Sequence, residues 1–135
     1  MAHPGNGTAN ILLAEDSDDD AAILSRALKH ADIDHVLIRV ANGEEAITYL
    51  TEKPRPDLLL LDLKMPKVDG FDVLAFIRGH PELKDLPVVI LSASDWTKDV
   101  NRVRHLGVTD YLVKDTDWKI VVTGLKLCLA QILPG

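Results

Sequence analysis

The chain has 135 residues, a length that suits one domain with its own core and is short for two. Hydrophobic residues make up 47% and charged residues 27%, which is typical of a globular protein rather than a disordered one. The net charge of −6 argues against a general nucleic-acid binder, which would carry a basic face. No apolar stretch reaches the roughly 20 residues of a membrane helix, and the first residues lack the pattern of a secretory signal. Cys128 is the only cysteine, and its place in a helical pattern indicates a packed thiol, which fits a cytoplasmic protein.

Five short apolar runs alternate with five helical patterns along the chain. The predicted strands cover residues 10–14, 35–40, 57–62, 87–92 and 110–113. Three of these runs are almost wholly apolar, as expected for strands that are buried on both faces of a parallel sheet. Residues 1–9 are predicted to be a flexible tail, and one domain is expected over residues 10–133.

The predicted helices begin at residues that favour helix starts. Acidic residues 18–20 open the first helix, where the helix dipole favours them. Asn42 is predicted to cap the second helix, with Glu45 placed as in a capping box. Thr116 or Asp117 is the expected N-cap of the last helix. The order βαβαβαβαβα with right-handed crossovers predicts an α/β fold, a doubly wound five-stranded parallel sheet with helices on both faces.

Polar side chains follow or end four of the predicted strands, at the edge where open parallel sheets bind ligands. They are Glu15, Asp16, Asp62, Ser92 and Lys114. A carboxylate directly after four leucines needs a partner, and a hard cation such as Mg²⁺ would relieve the repulsion among the acids. An ammonium and a hydroxyl opposite them can hold phosphoryl oxygens. The set therefore suits phosphoryl transfer with Asp62 as the nucleophile.

These residues and the segment DLKMPKVDG, residues 62–70, resemble the receiver domain of two-component response regulators over about residues 11–133. The resemblance implies the flavodoxin-like (βα)5 fold and a stand-alone signalling module, with no DNA-binding or catalytic domain after Gly135. It implies a phosphoprotein that is not itself an enzyme. Asp62 would accept a phosphoryl group from the phosphohistidine of a sensor histidine kinase or a histidine phosphotransfer protein.

The resemblance also implies a metal site. Asp16, Asp62 and the backbone carbonyl of Lys64 would coordinate Mg²⁺, and Glu15 would act mainly through a metal-bound water. The acids at 18–20 are interpreted as first-turn residues of the helix rather than as ligands.

A switch and an output surface follow from the same resemblance. Ser92 and Lys114 would bind phosphoryl oxygens, and Ser92 and Tyr111 would move when the phosphate arrives. The output surface would be helix four, strand five and helix five. Ile120 and Leu127 are predicted to lie off the buried stripe of helix five, which suggests a homodimer through that side.

One departure and three alternatives remain open. Receivers usually have proline after the conserved lysine, whereas this chain has Asp115, so a trans peptide bond is predicted there. A pseudo-receiver would bind partners without phosphorylation. A haloacid-dehalogenase-like phosphatase would need a second aspartate where Lys64 stands. A flavin- or nucleotide-binding domain would need a glycine-rich loop after the first strand, where this chain is acidic.

Overall fold

The five apolar runs form the strands of one parallel sheet, and the segments between them form helices. The computed structural model describes residues 8–30, 34–93, 97–114 and 118–132. The elements in chain order are β1 (Ala9–Ala14), α1 (Asp18–His30), β2 (His35–Val40), α2 (Gly43–Glu52), β3 (Leu58–Leu61), α3 (Gly70–Arg78), β4 (Val88–Ser92), α4 (Thr97–His105), β5 (Asp110–Val113) and α5 (Trp118–Ile132). The strand order is β2-β1-β3-β4-β5, and every neighbouring pair is parallel. The predicted doubly wound α/β fold is confirmed.

The predicted strand boundaries differ from the observed ones by at most one residue at each end. The spans of β2 and β5 are as predicted, and β3 is one residue shorter at each end. β1 begins at Ala9 rather than Asn10, so the predicted tail reached one residue too far into the domain. β4 begins at Val88 because Pro87 has no N–H to give to the ladder, although its carbonyl accepts the N–H of Leu59 at 3.0 Å.

The four leucines of β3 divide the core into two sides. Leu59 and Leu61 pack with residues of α2, α3 and α4, whereas Leu58 and Leu60 pack with residues of α1 and α5. Side chains alternate between the faces along a strand, so four consecutive leucines are all buried only where helices cover both faces. β3 is therefore the central strand, and Asp62 follows it at the middle of one sheet edge.

Side-chain caps fix where the first two helices begin. Asn42 caps α2 as predicted, because its Oδ1 accepts the N–H of Glu45 at 2.8 Å. The Glu45 carboxylate accepts the N–H of Ala41 at 2.8 Å, one residue before the cap. At α1, Oγ of Ser17 accepts the N–H of Asp20 at 3.2 Å. These bonds satisfy N–H groups that a helix start leaves without an internal partner.

Cys128 lies in the buried stripe of α5, as predicted. Its thiol donates a hydrogen bond to Oδ2 of Asp110 at 2.9 Å. Burial raises the pKa of the Cys128 thiol to about 12, and the hydrogen bond and the charge of Asp110 act in the same direction. The thiol is therefore protonated and packed rather than reactive.

Three predictions fall outside the described residues. They are the N-cap of α5 at Thr116 or Asp117, the trans peptide bond before Asp115, and the tail over residues 1–7. Within the described part of the chain, the helices are too short or too polar to span a lipid bilayer.

Candidate functional site

The carboxyl ends of the central strands and of β5 bring the predicted site residues to one edge of the sheet. Asp62 follows β3, and its N–H donates to the carbonyl of Ala14, the last residue of β1, at 3.0 Å. Ser92 ends β4, and its carbonyl accepts the N–H of Lys114 at 2.7 Å. Asp62 is only 5% exposed, and Ser92 is fully buried. The backbone ladder itself therefore holds these residues at adjacent strand ends.

The ammonium group of Lys114 lies among three carboxylates. Its Nζ is 2.5 Å from Oε1 of Glu15, 2.8 Å from Oδ2 of Asp20 and 3.1 Å from Oδ2 of Asp62. The side chain of Lys114 is 11% exposed, and those of Glu15 and Asp62 are more buried still. Solvent and salt screen buried charges weakly, so these interactions are stronger than surface ion pairs.

The pKa values of Glu15 and Lys114 are both raised at this edge, for different physical reasons. Burial raises the pKa of Glu15 from 4.5 to about 7, and the charge of Asp62 adds to the rise, while the hydrogen bond from Lys114 opposes it. Burial alone would lower the pKa of Lys114, but the hydrogen bonds to Asp20 and Glu15 and the charge of Asp62 raise it above its usual range. Lys114 therefore stays protonated, and burial together with the charge of Asp62 disfavours ionisation of Glu15.

Glu15, Asp16 and Asp62 form a group that can hold a metal ion. One carboxylate oxygen from each lies within 4.8 Å of the others. Oε1 of Glu15 is buried, and the ammonium of Lys114 is its close polar neighbour among the described residues. Hard divalent cations prefer oxygen ligands, and Mg²⁺ combines one or two carboxylates with waters. The donor set fits such a cation.

The loop between β3 and α3 folds back onto Asp62. The N–H of Lys64 donates to Oδ1 of Asp62 at 3.1 Å, and the N–H of Gly70 donates to the carbonyl of Leu63 at 3.0 Å. A methyl group on Gly70 would lie 2.4 Å from the carbonyl oxygen of Asp62, so this close approach requires glycine. Lys67 takes the left-handed backbone conformation, with φ of 68°. The backbone of Lys64 thus lies against the Asp62 carboxylate.

Residues 11–125 match the family model of the response regulator receiver domain. The chain belongs to this family. The predicted role as a phosphoacceptor signalling module of two-component systems is confirmed at this level, and receiver domains are in general signalling modules rather than enzymes. The phosphatase and flavin-binding alternatives lose their support.

Two relatives with solved structures are similar over almost the whole chain. Response regulator Rcp1 of Synechocystis sp. is 41% identical over 125 residues, which cover 88% of this chain and 85% of Rcp1. The crystal structure of the Mn²⁺-bound form of Rcp1 aligns with a TM-score of 0.85 at 38% identity, covering 93% of this chain and 94% of that one. The crystal structure of the phosphorylated cyanobacterial phytochrome response regulator RcpA gives a TM-score of 0.87 at 34% identity, with 94% and 95% covered.

The two predicted switch residues of this receiver lie on β4 and β5. Ser92 is the last residue of β4, and Tyr111 pairs with Ile90 in the ladder between the two strands. Tyr111 is half-buried and packs against the core cluster that contains α3 and α4 residues. The switch role of Ser92 and Tyr111 stays a prediction.

Sequence reasoning missed the contact of Asp20 with the site lysine. The acids at 18–20 do occupy the first turn of α1, and Asp18 pairs with Arg39 at 2.7 Å. Asp20 instead meets Lys114, 94 residues later in the chain. The sequence held one signal for this contact. Ser17 is suited to cap α1, and an acid three residues after the cap lies in the first helical turn, close to the end of β1 and so to the site.

Proposed function

We propose that Asp62 of this receiver accepts a phosphoryl group from the phosphohistidine of a sensor histidine kinase or a histidine phosphotransfer protein. The observation that carries the proposal is the position of the buried Asp62 carboxylate. It lies 3.1 Å from the ammonium of Lys114, and it shares a group of oxygens with Glu15 and Asp16.

The transfer step needs a nucleophile and neutralisation of charge, and this edge supplies both. One carboxylate oxygen of Asp62 attacks the phosphorus, and the bond from phosphorus to the imidazole nitrogen breaks. The electron pair of that bond returns to the imidazole, which takes up a proton. Lys114 binds a phosphoryl oxygen, and the hydroxyl of Ser92 binds another. Positioned charges of this kind lower the barrier of phosphoryl transfer.

Mg²⁺ would be held by Asp16, Asp62 and the backbone carbonyl of Lys64, with Glu15 acting through a metal-bound water. The acidic group supports a cation here, and Rcp1 has been crystallised with Mn²⁺. When bound, the cation supplies positive charge to the incoming phosphoryl oxygens.

The phosphate would shift the molecule between two packings and so change its protein partners. An aspartyl phosphate brings new negative charge and acceptor oxygens to the strand ends, where Ser92 and Tyr111 respond. The output surface would be α4, β5 and α5. The exchange would take place in the cytoplasm, where the ATP that charges a histidine kinase is found.

That output surface also supports a homodimer. Ile120 and Leu127 of α5 are 61% and 64% exposed and stand two helical turns apart, and Val113 at the end of β5 is partly exposed. Sedimentation should show association that strengthens with a phosphate mimic and weakens in the variant I120D/L127D. A monomer that does not change with concentration, with or without the mimic, would contradict this arrangement.

The experiment that tests the function is intact-mass measurement after incubation with Mg²⁺ and acetyl phosphate. One phosphate, stable to acid and labile to base, is expected on the wild-type protein and on D72N, which changes an exposed aspartate of α3. It should be absent from D62N and prevented by a chelator. A wild-type protein that takes no phosphate would favour the pseudo-receiver. Continuous release of phosphate from many substrates would favour the phosphatase.

A further inference from the structure

We propose that Asp20 is a positioning residue that keeps the Lys114 ammonium beside Asp62 when a divalent cation occupies the neighbouring carboxylates. This inference rests on the function proposed above. Asp20 and Lys114 form an ion pair with a hydrogen bond of 2.8 Å, and the Asp20 side chain is 27% exposed. Asp20 would act through Lys114 and touch neither the metal nor the phosphate.

The other two partners of Lys114 are also members of the acidic group. Glu15 and Asp62 each pair with the ammonium, and each offers an oxygen to the group that can hold a metal ion. A divalent cation would draw those oxygens to itself and would repel the ammonium. Both contacts of Lys114 with these acids would therefore weaken when the site is loaded for reaction.

Asp20 would not lose its contact with Lys114 to the cation. Its oxygens do not belong to the acidic group that Glu15, Asp16 and Asp62 form. Its backbone is fixed at the start of α1 by the cap from Ser17, so its carboxylate approaches Lys114 from the helix and not from a strand end. Asp20 is therefore the partner that can hold the ammonium in place after the cation has bound.

The neighbouring acids of the same helical turn provide a contrast. Asp18 pairs with Arg39 at 2.7 Å, and Asp19 is exposed. Either acid adds negative charge near the site, but the described contacts of Lys114 include only Asp20 from this turn. A general charge effect would be shared by all three acids, whereas a positioning effect belongs to Asp20 alone.

The experiment compares D20N with D19N, which removes the same charge one residue away. The rate of phosphorylation by acetyl phosphate is measured as a function of Mg²⁺ concentration, and it yields a rate at saturating Mg²⁺ and a half-saturating concentration. D20N should lower the saturating rate by roughly tenfold, because a misplaced ammonium neutralises the phosphoryl oxygens less well. D19N should leave that rate unchanged, and D20E should restore most of it.

A double-mutant comparison separates positioning from folding. In a K114A background, D20N should cause no further loss, because the group that it positions is gone. If circular dichroism shows that D20N is unfolded, D20S takes its place with the same expectation.

Equal saturating rates for D20N and wild type, or equal losses in D20N and D19N, would overturn the inference and leave the proposed function standing. A wild-type protein that takes no phosphate would overturn both.

Discussion

Arg78, at the end of α3, ties three parts of the chain together at the sheet edge opposite Asp62. Its guanidinium donates four hydrogen bonds to backbone carbonyls of the α3–β4 and α4–β5 connections. The acceptors are Leu106 at 2.6 Å, Lys84 at 2.7 Å, Gly107 at 2.9 Å and Leu86 at 3.1 Å. Arg78→Met keeps most of the apolar stem and removes all four bonds. We expect a large loss of stability without a change at the proposed phosphorylation site.

The size of the loss follows from the burial of the acceptors. The bonds to Leu106 and Leu86 are partly buried, whereas those to Lys84 and Gly107 are exposed, so water can replace the second pair. A hydrogen bond to a charged group contributes about 1.5–3 kcal/mol when it cannot be replaced. Two such bonds at the lower end give a loss of about 3 kcal/mol in the free energy of unfolding. For a domain of this size, that corresponds to a fall of roughly 10 °C in Tm.

The assay is urea unfolding followed by far-ultraviolet circular dichroism, supported by thermal unfolding. Arg55→Met is the matched control, because Arg55 is exposed and lies in the connection before β3. Arg78→Lys keeps the charge but cannot reach four acceptors, so its stability should fall between the wild type and Arg78→Met. A difference of less than about 1 kcal/mol between R78M and R55M would refute the reasoning.

Two further predictions concern the loop after Asp62 and the thiol of α5. Gly70→Ala should raise the half-saturating Mg²⁺ concentration and slow phosphorylation, because the added methyl group would lie 2.4 Å from the carbonyl oxygen of Asp62. Gly79→Ala is the control and should have neither effect, since its methyl group would lie 3.5 Å from its nearest neighbour. The wild-type free energy of unfolding should fall as the pH rises from about 9 towards about 12, since the unfolded thiol of Cys128 ionises before the folded one. Cys128→Ser should lack that part of the pH dependence in urea unfolding, and an unchanged dependence would contradict the assignment.

The fold was predictable because the signals for it are local. The run from Leu58 to Leu61 has no polar residue, and a strand covered on both faces buries all four side chains. The helix start at Asn42 was predictable for the same reason, since the cap and its partner Glu45 are three residues apart. Pro87 was predicted to begin the fourth strand, but the observed strand begins at Val88. Proline has no backbone N–H to donate, and a pattern of apolar residues does not take this into account.

Contacts between distant parts of the chain were harder to predict from the sequence. The pairing of Asp20 with Lys114 spans 94 residues and depends on the angle at which α1 leaves the β1 end. The bonds of Arg78 end on carbonyl oxygens, and the sequence pattern carries no information on where a carbonyl points. The residues of the candidate site could be named because parallel strands place their carboxyl ends together. The hydrogen-bond or ion-pair partner of each side chain could not be predicted in this way.

The acidic edge is a charge arrangement that folding alone would not favour. Glu15 and Asp62 are both buried, and the pKa of Glu15 is raised mainly because burial disfavours its charged form. The ammonium of Lys114 offsets part of the repulsion between the Glu15 and Asp62 carboxylates. It contacts oxygens that a cation would use. Buried ion pairs of this kind seldom increase stability over apolar packing. The strand ends therefore retain charge at some expense of stability, which suits the phosphoacceptor site proposed above better than a purely structural role.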